Sequence, residues 1–285
     1  MRVATKLAAY PWRLAPGQWV AAARASLRRL GAEKAALVQL HWSTANYAPL
    51  QVGVVGVSGR VIGFWRAAPL VDRQPSLTLL QERLQWEGLA AIWDAGLCEA
   101  VGVSNYGPRQ LAKIGAFLDA RGIPLAAVQA QYSLLSRGPE QAALREAAGE
   151  RGAAVIAYSP LALGLLSGKY SLADPASLPR GPRGLLFRQV LPGLAPLTSA
   201  LEAVAAERGK TVAQVAINWA MAPGGGGAGG GGAATVPIPG AKDLAQMREN
   251  TGALGWRLGA GERAALEAAA ARVPRQSQQN VFLTK

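Results

Sequence analysis

Cysteine and histidine are almost absent from this sequence: Cys98 is the sole thiol and His41 the sole imidazole among 285 residues. That scarcity excludes an intramolecular disulfide framework and the usual Cys/His zinc clusters, so no structural metal is expected. Acidic side chains are also few, 17 Asp plus Glu against 30 Lys plus Arg, for a formal charge of +13. Such an excess suits polyanion binding, but its distribution argues against it. Residues 1–81 carry ten basic side chains against only Glu33 and Asp72, with neither a basic run nor a basic-aromatic ladder. No nucleic-acid partner is therefore expected. No apolar run approaches the roughly 20 residues of a membrane span, so no membrane partner is expected either. The opening MRVATKL has no long apolar core of a secretory signal and leaves no room for a transit peptide before the first strand-like run.

What is present is apolar: half of the residues, enough for a sizeable core and too many for a disordered chain. Short β-branched runs alternate with amphipathic patterns. Strands are expected over residues 2–7, 36–42, 100–104, 126–132, 154–158 and 235–238. Helices are expected over 16–30, 82–95, 108–121, 138–150, 195–208, 211–222, 242–251 and 260–271. Alternation of this length implies a parallel sheet with crossover helices, either a doubly wound sheet or a (β/α)8 barrel. Three segments break the rhythm. Residues 52–81 place a Val/Gly-rich and then Pro-containing stretch between a strand and the next helix, far longer than an ordinary connection. Residues 223–234 are Gly-rich and read as a flexible linker. Residues 171–193 are basic and rich in Pro and Gly, a loop able to close over a ligand or simply a variable surface loop.

Functional groups of such folds collect at the C-terminal ends of the strands. Lys6, His41, Ser104, Asn105, Gln129, Tyr158 and Ser159 all fall at or near such ends. Asn, Ser and Gln can hold a planar amide by complementary hydrogen bonds, and a Tyr ring can stack on a flat heterocycle. Taken one at a time, each also has a plain role, such as Ser104 and Asn105 capping the helix that starts at Pro108.

The phrases VGVSNYGPRQL, VQAQYSLL, VIAYSPLALGLLSGKY, TVAQVAINWA and TVPIPGAKDLAQMREN, in this order, closely resemble the aldo-keto reductase family. RVATKLAAYPWRL, LVQLHWSTANYAPLQ and LLFRQVLPGL look like its plant and algal plastid-type branch, which includes pyridoxal reductases. The resemblance spans nearly the whole chain apart from residues 52–81 and 223–234, and implies a single domain.

It also implies a (β/α)8 TIM barrel that uses NADPH to reduce an aldehyde or ketone, pyridoxal among them, to the alcohol, in the chloroplast stroma. Lys6 matches the lysine that lowers the pKa of a catalytic Tyr, and His41 the histidine that orients the carbonyl. Ser104, Asn105 and Gln129 match the carboxamide-binding set, and Tyr158 the ring stacked on nicotinamide. Ser159, Leu161 and Gly164 fall in the pyrophosphate-binding stretch. Lys242, Gln246, Glu249 and Asn250 fall in the segment that contacts the adenosine 2'-phosphate and adenine, where a dianion calls for a cation.

Two departures qualify the match. The family's Asp-x-Ala-x-x-Tyr motif precedes the strand bearing Lys6, whereas the first Asp of this chain is Asp72. The resemblance thus implies six of eight strands, with the first two βα units missing and reduction impaired. A non-catalytic NADP(H)-binding or sensing protein on the same scaffold is the alternative. Removing residues 52–81 would join YAPLQ to ERLQWEGL as in the resembling branch. A segment that begins with Val and ends with Gln is also what an intron read in frame would leave. Residues 52–81 are accordingly expected to stay outside the barrel.

Overall fold

Six short strands, each apolar or small over most of its length, line up in parallel in the order in which the chain makes them. The structure, a computed structural model, describes residues 2–10, 12–43, 75–221 and 232–274. The strands are β1 (Ala4–Leu7), β2 (Leu37–Leu40), β3 (Val101–Ser104), β4 (Leu125–Gln131), β5 (Ala154–Tyr158) and β6 (Thr235–Ile238). Between and after them run α1 (Pro16–Leu30), α2 (Pro75–Asp94), α3 (Pro108–Asp119), α4 (Pro139–Glu150), α5 (Pro182–Arg208), α6 (Val212–Ala220), α7 (Leu244–Thr251) and α8 (Ala260–Ala271). Sequential parallel pairing with helical crossovers fits the parallel sheet that the alternation predicts, in the α/β barrel form that the resemblance implies, with six strands among the described residues.

Burial follows position in the sheet. β3 is buried at every residue and β4 at all but one, as expected of strands covered on both faces. β3 approaches β4 so closely at Gly102 that an added Cβ would stand 2.7 Å from the Ala127 carbonyl, and the register shifts at that point. Only glycine tolerates this contact. The outer strands differ. Val236 and Ile238 on β6 are about half exposed, and β1 has a single buried residue, Leu7.

The sheet curls. β1 and β4 are separated by two strands in the pairing order, yet Lys6 Nζ on β1 donates to Gln129 Oε1 on β4. A flat sheet would hold strands three spacings apart at roughly 14 Å, beyond any such bond. Curvature therefore brings polar side chains from non-adjacent strands together at one end.

Two expected boundaries are overturned. The helix read as starting at Glu82 begins at Pro75, so 75–81, assigned to the insertion, belong to α2. Pro75 suits a first helical position and Ser76 to Gln81 contain no breaker, which lets the helix run back from its packed part. Residues 52–74 lie outside the described residues. The basic segment 171–193 is not one loop, since α5 starts at Pro182 and runs through Pro192 and Pro196. Interior proline costs about 3 kcal/mol, but Phe187, Leu194, Leu197 and Leu201 are buried along this helix. Each such burial contributes roughly 1.5–3 kcal/mol, so packing overrides the proline signal.

The Gly-rich stretch differs from the linker reading at its end. Gly232, Ala233 and Ala234 are described, the Ala233 N–H donates to the Arg145 carbonyl (2.9 Å) and Ala234 O accepts from Val155 N (2.7 Å), which leads the chain into β6. Residues 223–231 lie outside the described residues.

α1 packs on α2 by sinking Trp19, fully buried, against Gly88, where a Cβ would meet the indole at 2.3 Å. Gly88→Ala is therefore expected to destabilise the protein by about 1–3 kcal/mol through overpacking. Urea unfolding read by Trp fluorescence checks this, and unchanged stability would show that the indole can shift at no cost.

Candidate active site

Strand register gathers the polar residues. Ser104 on β3 is the direct neighbour of Gln129 on β4, and Gln131 on β4 pairs with Tyr158 on β5. The side chains of Ser104, Asn105 and Gln129 are all buried. Buried polar groups need partners, and Asn105 supplies most of them.

Asn105 sits just beyond β3 with φ 60°, a left-handed conformation that Asn tolerates better than most residues. Its backbone N–H donates to the Gln129 carbonyl at 2.9 Å. Its Nδ2 donates to the His41 carbonyl at 3.1 Å and to Ser104 Oγ at 3.1 Å, while its Oδ1 accepts from Tyr158 Oη at 2.9 Å. One side chain thus ties the ends of β2, β3 and β5 together. Gln129 in turn accepts from Lys6.

Lys6 is exposed as a whole residue, but burial around its ammonium end lowers its pKa below the ordinary lysine value. His41, half-buried and tilted against Trp42 (5.3 Å, 35°), has its pKa lowered by burial first and by the Lys6 charge second. The imidazole is thereby biased to the neutral form. The Tyr10 ring stacks on Trp12 (4.6 Å, 6°) with the Arg13 guanidinium 4.8 Å from its centre. Tyr47 lies outside the described residues.

The turn after β5 is backbone-strained. Ser159, Ala162 and Leu163 have φ of 51°, 47° and 60°, and Gly164 follows at 93°. Non-glycine residues in this region cost on the order of 1–3 kcal/mol each and persist where surrounding structure holds them. Here Gly164 N donates to Leu161 O (2.8 Å), Ser167 Oγ donates to Gly164 O (2.6 Å) and Arg183 donates to Leu163 O. Arg183 comes from the first turn of α5. It is the only one of Arg180, Arg183 and Arg188 with such a bond to this turn among those described, and its signal in the sequence was no more than a basic residue in a Gly/Pro-rich stretch.

Lys242, Gln246, Glu249 and Asn250 assemble around the start of α7, beyond β6. Asp243 caps the helix by accepting from Gln246 N (2.8 Å), Gln246 Oε1 accepts from Lys242 N (3.0 Å), and Asn250 Nδ2 donates to Gly240 O (3.2 Å). Glu249 O accepts from Gln214 Nε2 at 3.0 Å. Lys242 is exposed. Because β5 and β6 are neighbours, with Tyr158 opposite Ile238, this turn and the strained one adjoin.

The geometry defines an α/β barrel-type protein with a cluster of bonded polar side chains at the C-terminal ends of its strands. The chain belongs to the Aldo/keto reductase family, whose profile matches residues 1–271. It is 47% identical over 283 residues to the chloroplastic pyridoxal reductase of Arabidopsis thaliana, covering 99% of this chain and 66% of that protein. It is 32% identical over 173 residues to the L-glyceraldehyde 3-phosphate reductase of Escherichia coli K12, covering 58% of this chain and 47% of that protein. The chain thus spans about two thirds of the length of one relative and about half of the other. A Bombyx mori aldo-keto reductase solved in complex with NADP superposes with a TM-score of 0.58 at 20% identity, covering 94% of this chain and 67% of that one. Among the described residues, no helix is long and apolar enough to cross a membrane.

The sign of the His41 shift sets a pH dependence. Below the ordinary value of 6.5 the unfolded chain takes up a proton that the folded chain resists, so His41 withdraws stability as the pH falls through that window. His41→Gln should remove this component. Denaturation midpoints of the two proteins at about pH 7.5 and pH 5.5 check it, with wild type expected to lose more on acidification than the variant.

Proposed function

We infer that this chain binds NADPH along the ends of β3 to β6 and reduces an aldehyde or ketone of small size, with pyridoxal as the first candidate substrate. The observation that carries the reading is the buried Ser104, Asn105 and Gln129 set beside the half-buried Tyr158 ring. These groups have the hydrogen-bonding character of a carboxamide site with an aromatic wall, so the donor set fits a nicotinamide. The strained 159–164 turn with Arg183 suits a pyrophosphate, and exposed Lys242 beside the α7 start suits a 2'-phosphate. The name of the Arabidopsis relative supports both the substrate candidate and a plastid location, and the complex of the Bombyx relative supports the cofactor. A small-molecule carbonyl is the partner, and no nucleic acid is proposed.

A bound NADPH would supply the hydride. The chain's part is to hold and orient. Tyr158 offers a ring face whose hydroxyl is fixed by Asn105, and Asn105 is fixed by its backbone bond to β4. His41, biased to neutral, can donate a hydrogen bond from its N–H to a carbonyl oxygen without carrying charge. Lys6 stabilises negative charge nearby as long as it stays protonated.

One observation favours a second reading, an NADP(H)-binding protein with little turnover. Among the described residues the hydrogen-bond partner of Lys6 is Gln129, and no tyrosine hydroxyl bonds to it. General acid catalysis typically contributes about 100- to 10,000-fold, so a site without a positioned acid binds far better than it reduces.

Two measurements test these readings. Fluorescence titration should give tighter binding of NADPH than NADH, and Lys242→Ala should weaken NADPH by about tenfold, the worth of one charge-assisted bond, with NADH unchanged. Equal affinities that ignore Lys242 would remove the cofactor reading. NADPH oxidation with pyridoxal then separates the two: turnover abolished by His41→Ala supports the reductase, and tight binding without turnover supports the binding protein.

A further inference from the structure

Away from that cluster, α2 and α3 meet through a polar contact that the reaction does not use. Glu82 and Trp86 stand one helical turn apart on the buried face of α2, and both are buried. They face Gln110 and Tyr106, which flank the start of α3. Trp86 Nε1 donates to Tyr106 Oη at 3.3 Å, and Gln110 Nε2 donates to Glu82 Oε1. Gln110 Oε1 is fully buried with no hydrogen-bond partner among the described residues. Tyr106, fully buried, follows Asn105 directly, so α2 grips both sides of the turn that sets the centre of the site.

An ionised Glu82 can only accept, which leaves the buried Gln110 oxygen an orphan. A protonated Glu82 completes a ring. We propose that Glu82 is a positioning residue for the Asn105 turn, held as a neutral carboxylic acid whose Oε2–H donates to Gln110 Oε1 while Gln110 Nε2–H donates to Glu82 Oε1.

The surroundings agree. Burial is the leading influence on Glu82 and raises its pKa above the ordinary 4.5, against smaller opposing effects of the Gln110 bond and of Lys113 on α3. Lys113 on α3 is the charged group acting on it; Tyr106, in the turn just ahead of α3, is the other titratable group beside it and is itself held neutral by burial. α1, packed on α2 through Trp19 at Gly88, adds no charge to it.

The sign follows from proton counts. From pH 4.5 up to the raised value the folded chain holds the proton that the unfolded chain has lost, so this contribution to stability falls as the pH rises. Glu82→Gln replaces the acid–amide ring by an amide–amide ring that does not titrate.

The test compares thermal melting of the 285-residue chain and its Glu82→Gln variant from about pH 5 to pH 8. The midpoints should coincide at the acid end and diverge by roughly 2–4 °C toward pH 8, with the variant higher. Glu82→Leu, which leaves both Gln110 atoms unpaired, should melt below Glu82→Gln at every pH. Parallel curves for wild type and Glu82→Gln, or a Glu82→Leu protein as stable as Glu82→Gln, would overturn the proposal.

A second readout rests on the NADPH reading above. The wild-type dissociation constant for NADPH should rise several-fold more across this pH range than that of Glu82→Gln, and an identical pH dependence would deny Glu82 its positioning role. Absence of NADPH binding by both proteins would count against the cofactor reading, while the melting curves still judge the acid–amide pair.

Discussion

The side-chain bonds that join the ends of β2, β3 and β5 run through one asparagine held in a left-handed turn. With φ 60° the Asn105 backbone can bond to β4 while its side chain reaches β2 and β5. A residue in the ordinary helical or extended region would aim its amide elsewhere, and Ser104 Oγ and Tyr158 Oη would each lose a partner. Glycine would tolerate the turn and lose the amide. Asparagine satisfies both the backbone and the side-chain demand, which is why its cost at positive φ is offset here.

The network also explains how a parallel sheet accepts polar residues in its wall. Strands covered on both faces are ordinarily apolar, and β3 and β4 are, except at Ser104, Gln129 and Gln131. These exceptions cluster at one end. An isolated buried amide costs several kcal/mol, whereas amides that bond to each other cost little. Ser104 Oγ and Tyr158 Oη accordingly share one partner, the Asn105 amide.

The alternation of strands and helices was legible in the residues, and so were the ends of most elements. Pro16, Pro108 and Gly31 mark their boundaries by local chemistry alone, since proline suits a first helical turn and Gly31 closes α1 in the left-handed conformation. The convergence of polar residues was legible for the same reason: strand ends are where such groups collect, and Lys6, Ser104, Asn105, Gln129 and Tyr158 do meet there. What could not be read depends on tertiary contact. Pro192 and Pro196 say "break" locally, and only the buried Phe187, Leu194 and Leu197 keep α5 continuous. The bond of Arg183 to Leu163 and that of Gln110 to Glu82 join residues 20 and 28 positions apart, with no periodicity that links them.

The polar residues rest on different parts of the sheet. Ser104, Gln129 and Tyr158 stand on β3, β4 and β5, each paired on both sides. Lys6 stands on β1, paired on one side among the described residues, with three of its four residues at least partly exposed. Edge strands open at lower free energy than central ones, because half of their backbone groups face water. Local opening of β1 would move Lys6 away from Gln129 and leave the Asn105 network standing, since none of the Asn105 side-chain bonds described above runs to β1. The Lys6–Gln129 contact is thus the more easily opened and the Asn105 network the more firmly held.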